Sequence, residues 1–379
     1  MSNNTVLVLA NSLSGLYSFR KEVMATIEND GYRVVISTPH DVKEKEDFFR
    51  GIGCEFEFVE IDRRGTNPVR DLSLIRKYKK LMRKTRPSVI LTYTIKPNIY
   101  GGIAARRLHI PQLANITGLG TAIENPGPLQ KFTIALYRFG LKKARMVFYQ
   151  NSSIETFWQR HHIGNTGHLL PGSGVNLDWH TFKDYPPQDA KMKFNFIGRV
   201  MKDKGVKEYL EAAQYIRDKY PQTEFHILGA CEEHYDDILK ELQDKGVIVW
   251  HGAVSDVRPY IKDSWCTVHP SYHEGMANVL LETCAGGRPV IACDINGCKE
   301  AVDDGVNGYL CVVKDIDDLI NKIEKFVLLP YEQKVKMGLA ARKKMEQEFD
   351  RMIVIKAYLK EINALSRNKT SLLDSYEVE

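Results

Sequence analysis

Two glutamates, Glu274 and Glu282, stand eight residues apart in the segment EGMANVLLE, directly after a strand-like run from Cys266 to Ser271. A helix that begins near Gly275 would place both carboxylates on one face, because eight positions span a little over two helical turns. A carboxylate beside the unpaired N–H groups of a helix N-terminus can hold a polyhydroxylated anionic ligand. On spacing alone, a capping glutamate followed by a solvated helix glutamate explains the pattern equally well.

A second candidate binding segment lies about seventy residues earlier, where Gly198-Arg199 is followed by Lys204-Gly205. A glycine at a strand end lets a ligand approach the backbone closely. Arg199 and Lys204, at the entrance of the next helix, would form a cradle for a dianion such as a diphosphate. Cations at a helix N-terminus oppose the helix dipole, so a bound anion explains them better than a plain basic loop.

The elements of the first half alternate between strand and helix. The candidate strands are Val6–Ala10, Arg33–Thr38, Glu55–Ile61, Ser88–Tyr93, Gln112–Ile116 and Met146–Gln150. Helical patterns between most of them predict a parallel sheet covered on both faces, and ligands of such sheets bind beyond the carboxyl ends of the strands. The segments expected at that edge are Ser12–Gly15, Thr94–Asn98, Thr117–Gly120 and Asn151.

A turn-rich linker, Pro171–Asn176, separates this half from a second alternating series. The second series begins with the strand Lys193–Gly198 and a helix from about Gly205 to Lys219. We therefore predict an α/β protein with two Rossmann-like domains of similar size. The amphipathic segment Arg351–Ala364 would reach back to the first domain.

The composition is that of an ordinary globular protein, with 43% hydrophobic and 27% charged residues among 379. The N-terminus has no basic region and only a five-residue apolar run, and no apolar stretch approaches the length of a membrane span. The seven cysteines show no zinc-like spacing. These features predict a cytoplasmic protein with no disulfides and no structural metal.

The positive charge is concentrated in the first half. Residues 1–170 carry 25 Lys and Arg against 14 Asp and Glu, whereas the remainder carries 28 against 34. The densest segment, Arg76–Arg86, holds seven cations in eleven residues. Such a face attracts nucleic acid, anionic lipid or a phosphorylated substrate, although a solvated helix face is the usual explanation of one such run.

With these motifs in place, the sequence resembles the GT-B-fold glycosyltransferases of family 4, through Gly198-Arg199…Lys204-Gly205 and Glu274-Gly275…Glu282. The resemblance implies two domains facing across a cleft. An acceptor-binding domain would span residues 1–170, completed by a crossing helix at 350–366. A nucleotide-sugar-binding domain would span 177–349, followed by a tail at 367–379.

Within that family the chain is most similar to bacterial enzymes that extend undecaprenyl-diphosphate-linked sugars for capsule, O-antigen or glycoprotein glycans. The residues that carry this likeness are Lys96, Asn98, Gly101, the Thr-Gly-Leu-Gly run at 117–120, and Asn151. It implies that Lys96, Asn98 and Thr117 contact the acceptor. Many relatives have a histidine near residues 94–96 where this chain has Thr94-Ile95-Lys96, and His109 is an unconvincing substitute.

The resemblance also implies roles on the donor side. Arg199 and Lys204 would hold the diphosphate and stabilise the leaving nucleotide, with Glu274 on the donor sugar and Glu282 on the ribose. The remaining donor contacts would be Gly15, Gly198, Gly229, Val254, Gly275, Met276, Ala277 and Asn278. It further implies a UDP-sugar donor, retention of configuration giving an α-linkage, no metal requirement, and peripheral association with the inner face of the plasma membrane.

Two other functions share this architecture. A sugar-nucleotide epimerase would bind the same donor but need no acceptor, and a non-catalytic nucleotide-sugar-binding protein would show no turnover. A nicotinamide dehydrogenase is disfavoured because no GxGxxG follows Val6–Ala10 or Phe194–Gly198. Nucleic-acid binding is disfavoured because the basic half has neither an aromatic-interleaved RNA motif nor a helix-turn-helix pattern.

Overall fold

The computed structural model describes residues 4–62, 68–118, 123 and 126–374. The chain divides into two compact units, Met1–Ser173 with Ile353–Glu379, and Gly174–Met352. Each unit is built around one parallel sheet.

The sheet of the first unit has seven parallel strands in the order β3-β2-β1-β4-β5-β6-β7. The strands are β1 Thr5–Leu9, β2 Arg33–Ser37, β3 Glu55–Phe56, β4 Val89–Tyr93, β5 Gln112–Ile116, β6 Met146–Tyr149 and β7 Gly167–Leu169. All five residues of β1, β4 and β5 are buried, as expected for strands covered on both faces.

Helices cover both faces of this sheet. They are α1 Leu13–Asn29, α2 Lys43–Gly51, α3 Pro68–Thr85, a π-helical turn Pro97–Gly101 that continues as α4 Gly102–Arg106, α5 Pro128–Gly140, α6 Ser152–Arg160 and α13 Arg351–Asp374. One core cluster joins α3, α4, α5 and α6 to the sheet. The opposite cluster joins α1 and α2 to α13, whose Val354, Ile355, Tyr358 and Ile362 are buried there.

The sheet of the second unit has six parallel strands in the order β10-β9-β8-β11-β12-β13. The strands are β8 Met192–Ile197, β9 Thr223–Leu228, β10 Ile248–Trp250, β11 Cys266–His269, β12 Val290–Cys293 and β13 Gly308–Cys311. The helices are a 3₁₀ turn Lys202–Lys204, α7 Val206–Lys219, α8 Asp236–Asp244, α9 Arg258–Asp263, α10 Asn278–Ala285, α11 Ile316–Leu328 and α12 Tyr331–Glu348.

The predicted fold class is confirmed, but three local expectations are wrong. The strand expected over Glu55–Ile61 is reduced to Glu55–Phe56, and beyond it, among the described residues, only the Glu57 and Val59 amides still donate to the Ile36 and Thr38 carbonyls. Helix α1 begins at Leu13, since Ser12 caps it, so Gly15 lies inside the first turn rather than in a loop. Helix α10 begins at Asn278, so Glu274 precedes it and does not share a helix face with Glu282.

Candidate active site at the carboxyl edge of the second sheet

The second sheet reverses its strand order between β8 and β11, and the crevice at such a reversal is where open α/β sheets bind ligands. Strand β8 ends at Ile197 and leads into Gly198-Arg199. Strand β11 ends at His269 and leads into the segment that holds Glu274. Both sequence motifs therefore emerge at the same crevice.

The two segments that leave these strands are bonded to each other. Gly205 adopts a left-handed conformation (φ 69°), and a Cβ there would collide with the carbonyl oxygen of Pro270. The Tyr272 amide donates to the Asp203 carbonyl at 2.9 Å, and the Tyr272 hydroxyl donates to buried Glu208 at 2.6 Å. These contacts fix the Lys204 turn against the segment that carries Glu274.

Two side chains, Lys204 and His269, meet at the carboxylate of Glu274. Lys204 Nζ lies 2.5 Å from Glu274 Oε1, and His269 Nε2 lies 2.9 Å from the same oxygen. Although burial raises the pKa of Glu274, the hydrogen bonds and charges of His269 and Lys204 outweigh it and lower that pKa to about 2. Glu274 is therefore a carboxylate at neutral pH, held through one oxygen.

His269 is the residue of this cluster that the sequence analysis missed. Its side chain is 3% exposed, and its Nδ1 is buried with no hydrogen-bond partner among the described residues. Because a carboxylate only accepts hydrogen bonds, the Nε2 that faces Glu274 carries the proton. The sequence feature that could have identified His269 is its position as the last residue of a buried strand, five residues before Glu274.

Arg199 lies beside the cluster but outside it. Its side chain is exposed and forms an ion pair with exposed Glu232 at 2.8 Å. An exposed pair of this kind contributes little to stability, so a stronger anion can replace Glu232 at small cost. In this conformation both predicted diphosphate-binding cations are paired with carboxylates, Arg199 with Glu232 and Lys204 with Glu274.

The segment between Glu274 and helix α10 differs from the expected row of ligand-facing amides. The Ala277 amide donates to the Gly297 carbonyl at 2.8 Å, so that amide does not face a ligand. Met276 is buried in the core cluster beneath the segment. Asn278 begins the helix, and its Oδ1 is buried with no partner in the described part of the chain, which leaves an acceptor at the helix N-terminus. Gly275 lies between Glu274 and Met276 in the same segment.

Glu282 lies in the second turn of α10 and lines a separate small cavity of about 100 Å³. Trp179, Arg258 and Lys262 also line this cavity. Burial raises the pKa of Glu282 to about 7, against the opposing charge of Arg351. The carboxyl therefore titrates near neutral pH, whereas Glu274 does not.

Gly229 and Val254 lie on the β9 side of β8. A Cβ at Gly229 would collide with the Gly198 carbonyl oxygen, so this glycine lets the β8 and β9 ends approach each other closely. Val254 packs with Ile197 and Leu228, the last residues of those two strands. Both of these predicted donor contacts therefore border the strand end that carries Arg199.

The predicted acceptor residues follow strands of the first unit, and two of them are already bonded. Lys96 is largely buried, and its Nζ contacts Asp71 at 2.7 Å. Asn98 is 1% exposed, accepts from the Thr92 hydroxyl at 2.7 Å and donates to the Asn115 carbonyl at 2.8 Å. We therefore correct the expectation for Asn98, which offers no available group to an acceptor in this conformation.

The other candidates of the first unit vary in accessibility. Thr117 is exposed directly after β5, but Leu119 and Gly120 of the same run lie outside the described residues. Asn151 is buried and caps α6 through Ile154. A Cβ at Gly15 would meet open space, and the Gly15 amide donates to the Oγ of the capping Ser12 at 3.4 Å. His109 is in the turn after α4, with a left-handed backbone (φ 56°).

Both halves of the chain are similar in sequence to known glycosyltransferases. Residues 178–344 match the family described as glycosyl transferases group 1, and residues 5–151 match the family described as glycosyl transferase 4-like. A similar Campylobacter jejuni protein, N,N'-diacetylbacillosaminyl-diphospho-undecaprenol alpha-1,3-N-acetylgalactosaminyltransferase, is 26% identical over 95% of this chain and 98% of its own. A second relative, the Escherichia coli UDP-Gal:alpha-D-GlcNAc-diphosphoundecaprenol alpha-1,3-galactosyltransferase, is 26% identical over 70% and 73%.

Two solved structures show the same fold. A glycosyltransferase from Rickettsia africae superposes with a TM-score of 0.80 at 16% identity, covering 96% of this chain and 99% of that one. The Anabaena HepE protein, solved with UDP and glucose, superposes with a TM-score of 0.73 at 17% identity, covering 98% and 99%. Both sequence-family matches are to glycosyltransferases, which favours a transferase over the epimerase alternative.

Proposed function

The chain is a GT-B glycosyltransferase that joins a glycosyl transferase 4-like region to a group 1 region, and from this we propose its reaction. It transfers a hexose or N-acetylhexosamine from a UDP-sugar to a saccharide linked to undecaprenyl diphosphate. The product contributes to a bacterial surface polysaccharide or glycan. The observation that carries the proposal is the convergence of Lys204, His269 and Glu274 beside Gly198-Arg199 at the strand-order reversal.

The two ion pairs at the site, Arg199 with Glu232 and Lys204 with Glu274, suggest how the donor binds. The donor diphosphate attracts Lys204 away from Glu274 and Arg199 away from Glu232, because it offers both cations a stronger anion. His269 then continues to hold Glu274 Oε1. Glu274, ionised because of its low pKa, presents its other oxygen to hydroxyls of the donor sugar. Glu282 accepts from the ribose.

The chemical step proceeds with retention of configuration. The acceptor hydroxyl oxygen forms a bond to the anomeric carbon on the face from which the diphosphate leaves. The bond from that carbon to the β-phosphate oxygen breaks, and the hydroxyl proton passes to the departing phosphate. Arg199 and Lys204 offset the charge that develops on UDP, which is the work a divalent metal performs elsewhere, so no metal is required.

The donor is proposed to carry a galacto-configured sugar and the product an α-1,3 linkage. Two relatives support this choice by their names, one an alpha-1,3-N-acetylgalactosaminyltransferase and the other an alpha-1,3-galactosyltransferase. Both relatives also act on sugars attached to diphospho-undecaprenol. A lipid-linked acceptor of this class places the enzyme at the inner face of the plasma membrane.

The membrane is engaged through the basic first unit. Arg76, Lys79, Lys80 and Arg83 recur along one face of α3, and attraction to anionic lipid is worth about 1 kcal/mol per cation near the surface. No helix in the described part of the chain is apolar and long enough to cross a bilayer.

The deciding experiment is a donor panel of UDP-Gal, UDP-GalNAc, UDP-Glc, UDP-GlcNAc and GDP-Man, with EDTA present. Thermal stabilisation and UDP release are measured with and without a lipid-diphosphate-sugar acceptor. We expect UDP-Gal or UDP-GalNAc to stabilise the protein, and UDP release to rise when the acceptor is added.

Other outcomes would redirect the proposal. A preference for UDP-Glc or UDP-GlcNAc would overturn the galacto assignment alone. Activity abolished by EDTA and restored by Mg²⁺ would overturn metal independence. Conversion of the donor without acceptor would favour an epimerase, and binding without any turnover would favour a non-catalytic protein.

A further inference from the structure

Helix α5, Pro128–Gly140, exposes an apolar stripe that nothing in the proposed chemistry uses. Leu129, Phe132 and Phe139 are 54%, 59% and 50% exposed. With partly buried Leu136 they recur at intervals of three and four, which places all four on one helical face. No other helix among the described side chains exposes three large apolar residues on a single face.

The opposite face of α5 anchors the helix to its unit. Ile134, Tyr137 and the adjoining Leu141 are buried in the core cluster that includes Trp158. The helix is therefore fixed in place by its inner face, and its outer stripe is not a consequence of poor packing. A contiguous exposed apolar surface of this kind marks an interaction site.

The chemistry around the stripe identifies its partner. From Pro126 to Ser153 the sequence holds five cations and no carboxylate. The Arg106 guanidinium lies 4.2 Å from the ring centroid of Phe139, and Lys131, Lys142 and Lys143 are exposed. Apolar side chains surrounded by cations fit a surface that is apolar inside and anionic outside, which is an anionic lipid bilayer.

A second copy of the chain fits this surface less well. A two-fold symmetric dimer brings the same patch of both copies together, so the cations around the stripe would lie near those of the partner, and the segment 126–153 supplies no carboxylate to offset them. Like charges in such an interface repel each other.

We propose that the α5 stripe inserts into the interfacial layer of an anionic membrane, with Leu129, Phe132 and Phe139 among the acyl chains and the neighbouring cations at the headgroups. Helix α3, with its basic face, packs against the same π-helical turn and α4 as α5 does, on the same side of the sheet. The basic helix supplies salt-sensitive attraction and α5 supplies salt-resistant insertion. This inference rests on the proposed lipid-linked acceptor, because insertion of the stripe would hold the enzyme at the membrane where that acceptor lies.

The test uses the full chain with sedimenting vesicles of phosphatidylcholine, alone or mixed with phosphatidylglycerol, at low and high salt. Leu129→Gln with Phe132→Gln should weaken partitioning onto anionic vesicles by roughly tenfold or more at both salt concentrations. Leu328→Gln with Leu339→Gln, a matched pair of exposed leucines on α11 and α12, should change nothing. Neutralising Arg76, Lys79, Lys80 and Arg83 should weaken binding mainly at low salt.

A reporter variant separates insertion from simple attraction. Phe132→Trp should show a blue-shifted emission with anionic vesicles, whereas Leu339→Trp should not. Unchanged partitioning of the double-glutamine variant, or no spectral shift at position 132, overturns the inference. Loss of a dimer in the same variant, measured by light scattering without lipid, assigns the stripe to a second copy and also overturns it.

Transfer to a short soluble acceptor distinguishes this inference from the proposed function. Retained transfer with vesicle binding unaffected by the α5 substitutions would refute the inference and leave the proposed function standing. A blue shift at position 132 with no transfer to any lipid-diphosphate acceptor would support the inference and refute the proposed function.

Discussion

The two sheets of this protein reverse their strand order in the same way, but their carboxyl edges use polar residues differently. At the edge of the second sheet, Lys204 and His269 converge on Glu274, and Asn278 Oδ1 and His269 Nδ1 are buried without partners in the described structure. At the edge of the first sheet, Asn98 is bonded to Thr92 and Asn115.

The first edge continues this pattern through a buried network. Gln112 donates to the Thr92 hydroxyl and the Asn98 carbonyl, each at 2.9 Å, and the Tyr358 hydroxyl bonds to the Asn115 side chain. Polar groups whose hydrogen bonds are made within the fold stabilise it and are not available to a ligand. Polar groups that lack hydrogen-bond partners within the fold can bind a ligand instead. The cluster around Glu274 at the second edge is therefore organised for binding, and the network around Asn98 at the first edge is organised for stability. The hydroxyls of Thr38 and Thr94, which follow β2 and β4, are buried without partners in the described structure, so this contrast concerns the two clusters and not every residue of the two edges.

The largest expected effect would come from removing the lysine of the second edge. Lys204→Ala should lower turnover by about 10²- to 10³-fold, because the charge developing on UDP loses a preorganised cation. Lys202→Ala, in the same 3₁₀ turn but exposed, is the matched control and should retain activity. Steady-state kinetics with saturating donor measure both variants, and equal losses would show that the turn matters only for its folding.

His269 tests whether the buried contact to Glu274 positions that carboxylate. His269→Leu should reduce turnover by roughly ten- to a hundredfold, since Glu274 loses its second anchor when Lys204 turns to the diphosphate. His269→Gln retains an N–H donor at similar reach and should recover much of the activity. If both variants lose activity equally at unchanged melting temperature, the hydrogen bond is not the reason for the loss.

The same contrast explains what the sequence could and could not predict. The motifs around Lys204 and Glu274 were predictable because each follows a strand end directly, and parallel strands bring their carboxyl ends to one edge. The structural role of Asn98 was not predictable, because its hydrogen-bond partners Thr92 and Asn115 come close to it only when β4 and β5 pair. The start of α10 at Asn278 was missed because the contact that holds the preceding segment, from the Ala277 amide to the distant Gly297 carbonyl, cannot be read from the sequence.

The first edge should respond to mutation through stability rather than through catalysis. Asn98→Ala should lower the free energy of unfolding by about 1–3 kcal/mol, because the buried Thr92 hydroxyl loses its acceptor and the Asn115 carbonyl loses a donor. Thr117→Ala, at an exposed position of the same edge, should leave stability unchanged. Urea unfolding measures both. A normal unfolding midpoint with lost acceptor transfer for Asn98→Ala would restore its predicted acceptor role.

The smallest expected effect is on stability and comes from Glu282, whose carboxylate form is disfavoured by burial at the second edge. Burial raises the pKa of Glu282 to about 7, above the value near 4.3 of an unfolded glutamate. Below about pH 4 the carboxyl is protonated in both states and costs nothing. Between about pH 4.3 and 7 the unfolded state loses its proton first, so native stability falls progressively, and above pH 7 the cost is complete.

Glu282→Gln removes this cost, because an amide does not titrate. The melting temperature of the variant should exceed that of the natural chain by a few degrees at pH 8 and match it near pH 4.5. Its affinity for UDP, measured by calorimetry at pH 8, should fall because an amide accepts the ribose hydroxyls less well than a carboxylate does. Higher stability together with weaker UDP binding is expected if the Glu282 carboxylate finds its hydrogen-bond partners in the ligand rather than in the fold. Lower stability at pH 8 would place Glu282 with the internally satisfied residues of the first edge.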